Sequence, residues 1–112
     1  MMLERSKQGV VDLLRVSDPL TGEFVDRLGQ LFDGCSGDGQ PRIVLDLASV
    51  PLMDSAALEL LLDYQERVQH RGGALKLAGP NTTCRDILHL TGVDRHFEIF
   101  PDSVAAVGSF AQ

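Results

Sequence analysis

No stretch of this chain approaches the roughly 18 to 20 consecutive apolar residues of a membrane-spanning helix, and its opening residues, MMLERSKQG, lack the apolar core of a signal peptide. A cytoplasmic location is the expectation that follows. Basic clusters are absent as well: 10 Lys and Arg stand against 16 Asp and Glu, for a formal charge of -6 and a pI near 4.8. No alternation of aromatic and basic residues offsets this balance, so direct nucleic-acid binding is not expected. The 2 cysteines, Cys35 and Cys84, form neither a CxxC pair nor a metal-ligand pattern, and read as buried thiols in a reducing compartment. Asn81-Thr82-Thr83 matches the glycosylation triplet, but nothing sends the chain to a secretory path. Tryptophan is missing, which excludes nothing. No internal repeat or low-complexity tract is present.

The usual catalytic patterns are missing too. The 3 histidines, His70, His89 and His96, show no HxxxH spacing and no acidic triad beside them, so no metal site is expected. The glycine-rich stretch CSGDGQ (35–40) lacks the Lys of a P-loop and leads into a strand rather than a helix; it reads as a connection. Ser55 sits at a strand-to-helix turn, where a hydrolase would place its nucleophile. Its flanks, Met53 and Ala57, are not the glycines of a G-x-S-x-G elbow, and no histidine is placed as an oriented base. A serine hydrolase is therefore a remote alternative, and neither a catalytic residue nor a cofactor is expected.

What is present reads as one α/β domain spanning 1–112, a mixed and mostly parallel sheet flanked by helices. Two strands, Met2 to Arg5 and Val10 to Val16, are joined through the polar stretch Ser6 to Gly9. Thr21 caps a helix whose apolar stripe is Phe24, Val25, Leu28, Leu31, Phe32 and Cys35, with Leu20 and Val25 stapling its start. Ala74 to Ala78 forms a strand, Asn81 or Thr82 opens a helix through Thr91, and Gly92 ends it. Glu98 to Phe100 is a short strand. A last helix follows Pro101-Asp102-Ser103 and docks Val104, Ala105, Val107 and Phe110.

The chain is organised around Arg42 to Gly73. Ile43, Val44, Leu45 and Leu47 make the nearly continuous apolar run of a strand buried on both faces, expected at the centre of the sheet. Asp54 and Ser55, both good N-cap residues, open a helix that runs to Gly72 with His70 and Arg71 at its carbonyl end. Asp46 is expected to tie down the loop after its strand by accepting amide bonds. Ala57, Leu61, Tyr64 and Val68 share a core face, while Leu58, Leu60 and Leu62 widen the apolar arc, either wedged between neighbours or facing a partner.

The segments VLDLASV, MDSAALELL, HRGGALKLAGP and ILHLTGVDRHFEIF together resemble the STAS family of bacterial anti-sigma factor antagonists over nearly the whole chain. The resemblance implies the STAS fold and a non-enzymatic role: binding an anti-sigma factor with serine kinase activity, which phosphorylates the serine of an Asp-Ser pair, here Asp54-Ser55, with a phosphatase resetting it. It implies a partner-binding surface at Asp54, Ser55, Ala56, Ala57, Leu58 and Leu62. The family often has Ser-Gly after the modified serine, where this chain has Ala56-Ala57, and a small residue in place of Glu59. It also usually has a glycine soon after the second strand, where Ser17-Asp18-Pro19 stands. The same fold occurs in subunits of lipid-transport ABC systems and sensor complexes, so constitutive binding to an ATPase is the alternative role.

Overall fold

A computed structural model of the protein describes residues 3–35 and 39–111. The chain runs as β1 (Leu3–Gln8), β2 (Val11–Ser17), α1 (Gly22–Gly34), β3 (Arg42–Ser49), α2 (Ser55–His70), β4 (Ala74–Ala78), α3 (Thr82–Leu90), a 3-10 turn (Val93–His96), β5 (Ile99–Phe100) and α4 (Ser103–Ser109). Met2, the expected start of the first strand, and residues 36–38 of the glycine-rich connection lie outside the described residues. The strands form one sheet in the order β1-β2-β3-β4-β5, with β1 antiparallel to β2 and the other pairings parallel. The mixed, mostly parallel sheet is as expected, and β3 is its middle strand.

Each parallel crossover from β2 to β5 steps the same way across the sheet, so right-handed connections place α1, α2 and α3 on one face. There Leu14, Ile43, Leu45, Leu47, Leu75 and Leu77 meet Leu28, Phe32, Leu61, Val68, Cys84 and Leu88 in the larger core. Alternation along the strands sends Val11, Leu13, Val44 and Ala78 to the opposite face, where α4 closes over them with Ala106. Lys76 shares that face. Its ammonium lies 2.7 Å from Ser109 Oγ, 3.4 Å from Glu98 and 4.1 Å from the Phe110 ring centroid, which lets a charged side chain stay buried under the last helix.

Three expectations are corrected. Ser6, Lys7 and Gln8 belong to β1: the hairpin turns at Gly9-Val10, with Gln8 opposite Val11 and Gly9 at φ +65°. Those residues are polar because β1 is an edge strand, and Lys7 reaches across to Asp12 at 3.2 Å. In α4, Val107 and Phe110 pack against the smaller core as expected and Ala106 is fully buried in it, whereas Val104 is exposed. At α1, Thr21 occupies the N-cap position but its side chain makes no capping bond. Asp18 takes the left-handed conformation, φ +79°, a position Asp tolerates better than most residues.

One polar side chain completes the sheet. Leu77 and Gly79 of the β4 segment send their N–H groups to Glu98 O and Phe100 O, at 3.0 and 2.9 Å. Leu75 faces the same way, but β5 has not yet begun opposite it. Gln65 of α2 takes the place of a strand residue: its Oε1 accepts from Leu75 N–H at 2.9 Å, and its Nε2 donates to Leu75 O at 3.0 Å and His96 O at 2.8 Å.

Candidate functional site

The site lies where β3 ends and α2 begins, at the carboxyl edge of the parallel strands. Two short segments meet there: Leu20 N–H donates to Leu52 O and Asp54 N–H to Leu20 O, each at 3.0 Å, and Leu20 pairs with Met53. This brings the starts of α1 and α2 side by side. Asp46, behind them, accepts from Ala48 N–H at 3.0 Å and from Arg15 Nε at 3.4 Å; the amide it holds belongs to the end of β3 and not, as expected, to the loop after it.

Both Asp54 and Ser55 are good cap residues, and the structure ranks them. Asp54 is the N-cap, in extended conformation, and its Oδ1 accepts from Ala57 N–H at 3.0 Å. Its Oδ2 accepts from Gly22 N–H, the first amide of α1, at 2.7 Å. One carboxylate thus caps two helices. These bonds, Ala57's first and Gly22's next, hold the Asp54 carboxyl below its ordinary pKa of 3.8 against a smaller opposing effect of burial. Ser55 is the first residue of α2 and is exposed.

Below Ser55, helical spacing carries Glu59, Leu62 and Glu66 down the outer face, with Glu59 and Glu66 exposed and Leu62 half-buried. Ala56 is also half-buried, and Leu52 beside the mouth is 42% exposed. Ala57 and Leu58, expected to meet a partner, are buried at 0% and 7%. This corrects their assignment: α2 packs against α1, β4 and the 3-10 turn, so its inward arc is wide enough to take Leu58 as well as Ala57. Leu60 likewise leans on the core, beside Gly29. A shallow groove of about 330 Å³ opens nearby, lined by Asp18, Pro19, Ala48, Ser49, Val50, Pro51 and Asn81.

The histidines are far from Ser55. His70 ends α2, 15 residues on and so about 22 Å along the axis. His89 lies in the last turn of α3 and pairs with Asp94 at 3.0 Å, and His96 ends the 3-10 turn, separated from β5 by Phe97 and Glu98, all at the amino edge of the sheet. No group of His, Cys, Asp and Glu among the described residues could hold a metal ion. Cys35 and Cys84 are buried free thiols, with burial raising Cys35 to about 11 and Cys84 above its ordinary value. Among the described residues no helix is long and apolar enough to cross a membrane.

A layered α/β domain whose middle strand leads into a doubly capped helix mouth is the class of structure this chain forms. The STAS domain model matches residues 3–106, and the chain belongs to that family. A Thermotoga maritima protein provisionally named an anti-sigma factor antagonist is 30% identical over 70 residues, a match spanning 62% of this chain and 62% of that protein's length. A crystal structure of a provisionally named anti-sigma factor antagonist from Thermotoga maritima superposes with a TM-score of 0.91 at 23% identity, covering 98% of this chain and 95% of the other. The antagonist SpoIIAA in its unphosphorylated form gives 0.82 at 15%, covering 98% and 96%. A sulfate transporter family protein from Wolinella succinogenes gives 0.77 at 22%, covering 89% and 84%. At these identities the structural matches speak for the fold.

The lowered Asp54 carboxyl predicts a pH dependence. A folded pKa below the unfolded one stabilises the protein above the unfolded value, and that contribution is lost as pH falls through the folded value. Melting midpoints between about pH 5 and pH 3 should fall more steeply for the wild type than for Asp54→Asn. Parallel slopes would remove Asp54 from the acid response.

Proposed function

We propose that this chain is a non-enzymatic interaction switch of the anti-sigma factor antagonist kind, acting in the cytoplasm. Unphosphorylated, it binds an anti-sigma factor that is also a serine kinase; phosphorylated on Ser55 it releases that partner, and a phosphatase restores it. The observation that carries this reading is the division of labour at the helix mouth. Asp54 does the capping, so the exposed Ser55 hydroxyl is free of any duty in the fold. A phosphate there adds about two negative charges at the positive end of the α2 dipole, which the domain itself tolerates. A partner covering the same place has to bury or oppose those charges, which is costly. The surface it would cover comprises Asp54, Ser55, Ala56, Leu62 and the exposed Leu52, with Ala57 and Leu58 supporting it from beneath.

The test is a calorimetric titration of the anti-sigma factor kinase with the unmodified protein, with protein carrying phosphoserine at 55, and with Ser55→Ala. Phosphorylation should weaken binding by about a hundredfold or more, in the range of one buried unpaired charge. Ser55→Ala should bind normally and change stability by no more than about 0.5 kcal/mol, since it removes no cap. Equal affinities for the phosphorylated and unmodified forms would sink the switch. The second reading, a constitutive subunit beside a transporter ATPase or in a sensor complex, is the alternative role that membership of the STAS family leaves open. It predicts stable capture of such an ATPase that ATP does not reverse.

A further inference from the structure

The first amide of α1 is satisfied from another helix. Thr21 contributes no side-chain cap, and Gly22 N–H is held at 2.7 Å by Asp54 Oδ2, while the second oxygen of the same carboxylate holds Ala57 N–H. The approach is close throughout: a Cβ on Gly22 would lie 3.6 Å from Ala56 Cβ. With the loops before the two helices also hydrogen-bonded to each other, the two mouths form one unit joined at Asp54.

Building on the switch proposed above, we propose that Asp54 is a positioning residue that transmits the modification state of Ser55 to the first turn of α1, so that a partner reads both helix mouths. A phosphate on Ser55 stands beside this carboxylate. The two anions repel, and the phosphate oxygens compete for the amides that open α2. Asp54 can move away from the phosphate only by giving up one of its two amides. Ala57 N–H has the phosphate as a replacement acceptor, being in the same turn as Ser55. Gly22 N–H, on the neighbouring helix, depends on where the carboxylate goes. A charge added to α2 therefore loosens or shifts the start of α1, whose exposed Gly22 and Glu23 adjoin the docking surface.

Amide hydrogen exchange by NMR on the isolated protein, with phosphoserine installed at position 55, tests this without any partner. In the wild type, phosphorylation should lower the protection of the Gly22 amide by roughly tenfold, a local opening rather than a global one. Asp54→Asn keeps a single acceptor oxygen and cannot serve both amides. In that variant Gly22 starts less protected, and phosphorylation should leave it unchanged while still altering Ala57. Unchanged Gly22 protection in the wild type, or an equal fall in the variant, would overturn the proposal. Should the variant fail to fold, the Asp54 carboxyl of the wild type can be titrated by its carbon shift, and its pKa must rise on phosphorylation; no rise is equally fatal. Loss of partner affinity is read in a separate titration, so the switch and its transmission through Asp54 stand or fall independently.

Discussion

Gln65→Leu is expected to lower stability by about 3 kcal/mol or more, although it replaces a buried polar side chain with an apolar one of similar size. Gln65 is 5% exposed, and its amide satisfies three backbone groups: Leu75 N–H, Leu75 C=O and His96 C=O. Each buried backbone group left without a partner costs about 1–3 kcal/mol, and leucine leaves all three. Against a typical domain stability of about 5–15 kcal/mol this is a large fraction, equivalent to roughly 10–20 °C in melting midpoint. Gln65→Glu is no rescue: a carboxylate accepts from Leu75 N–H but offers nothing to the two carbonyls. Urea denaturation monitored by circular dichroism measures both variants. A loss below about 1 kcal/mol for Gln65→Leu would mean that water replaces the side chain, and that β4 does not depend on α2 for its first pairing.

Nothing in the sequence marks Gln65 for this part. It sits in α2 among charged residues, and its role arises only because β5 starts two residues too late to pair with Leu75. The strands and helices themselves were legible where their physics is local. The run Ile43-Val44-Leu45 announces a strand covered on both faces, and Asn81, Gly72 and Gly92 stand at helix ends where capping and the left-handed conformation require them. Legibility failed where tertiary neighbours decide. Ser6 to Gln8 look like a turn because an edge strand with water on both sides carries no apolar alternation. Val104 and Ala106 differ by 200° around a helix, and only the docked geometry says which faces the sheet.

The site was legible in position and incomplete in mechanism. Asp54 and Ser55 are adjacent, both suited to capping, and local preference ranks them nearly equally. What separates them is Gly22, 32 residues upstream, whose amide gives the carboxylate of Asp54 a second bond and leaves the hydroxyl of Ser55 exposed. Leu58 shows the reverse error. An apolar side chain just after an exposed serine suggests a docking surface, yet Leu58 is 7% exposed and belongs to the larger core, because α2 is covered by α1, β4 and the 3-10 turn and not by one neighbour alone. A partner therefore meets a mixed surface, with Leu52 and Leu62 set among Ser55, Glu59 and Glu66, on which added charge is felt strongly.

Gly73→Ala is expected to be more damaging than Gly72→Ala, though Gly72 has the left-handed backbone, φ +78°, and Gly73 does not. Gly72 needs its conformation: alanine there costs about 1–2 kcal/mol in strain and crowds the flexible Gln40 side chain at 3.1 Å. Gly73 needs space. A Cβ on it would lie 2.0 Å from Pro41 O and 2.8 Å from Pro41 N, and these are backbone atoms of the segment leading into β3. Two bonds fix the approach: Gly73 N–H to Val68 O at 2.9 Å, closing the carboxyl end of α2, and Ala74 N–H to Pro41 O at 3.0 Å, opening the β3–β4 pairing. Alanine must break one or the other while bending the chain between the two elements, a cost of about 3–5 kcal/mol. Thermal melts of the two single variants give the ranking directly. If Gly73→Ala melts no lower than Gly72→Ala, the close passage of Pro41 over the end of α2 is not what holds this corner, and left-handed conformation alone explains the paired glycines.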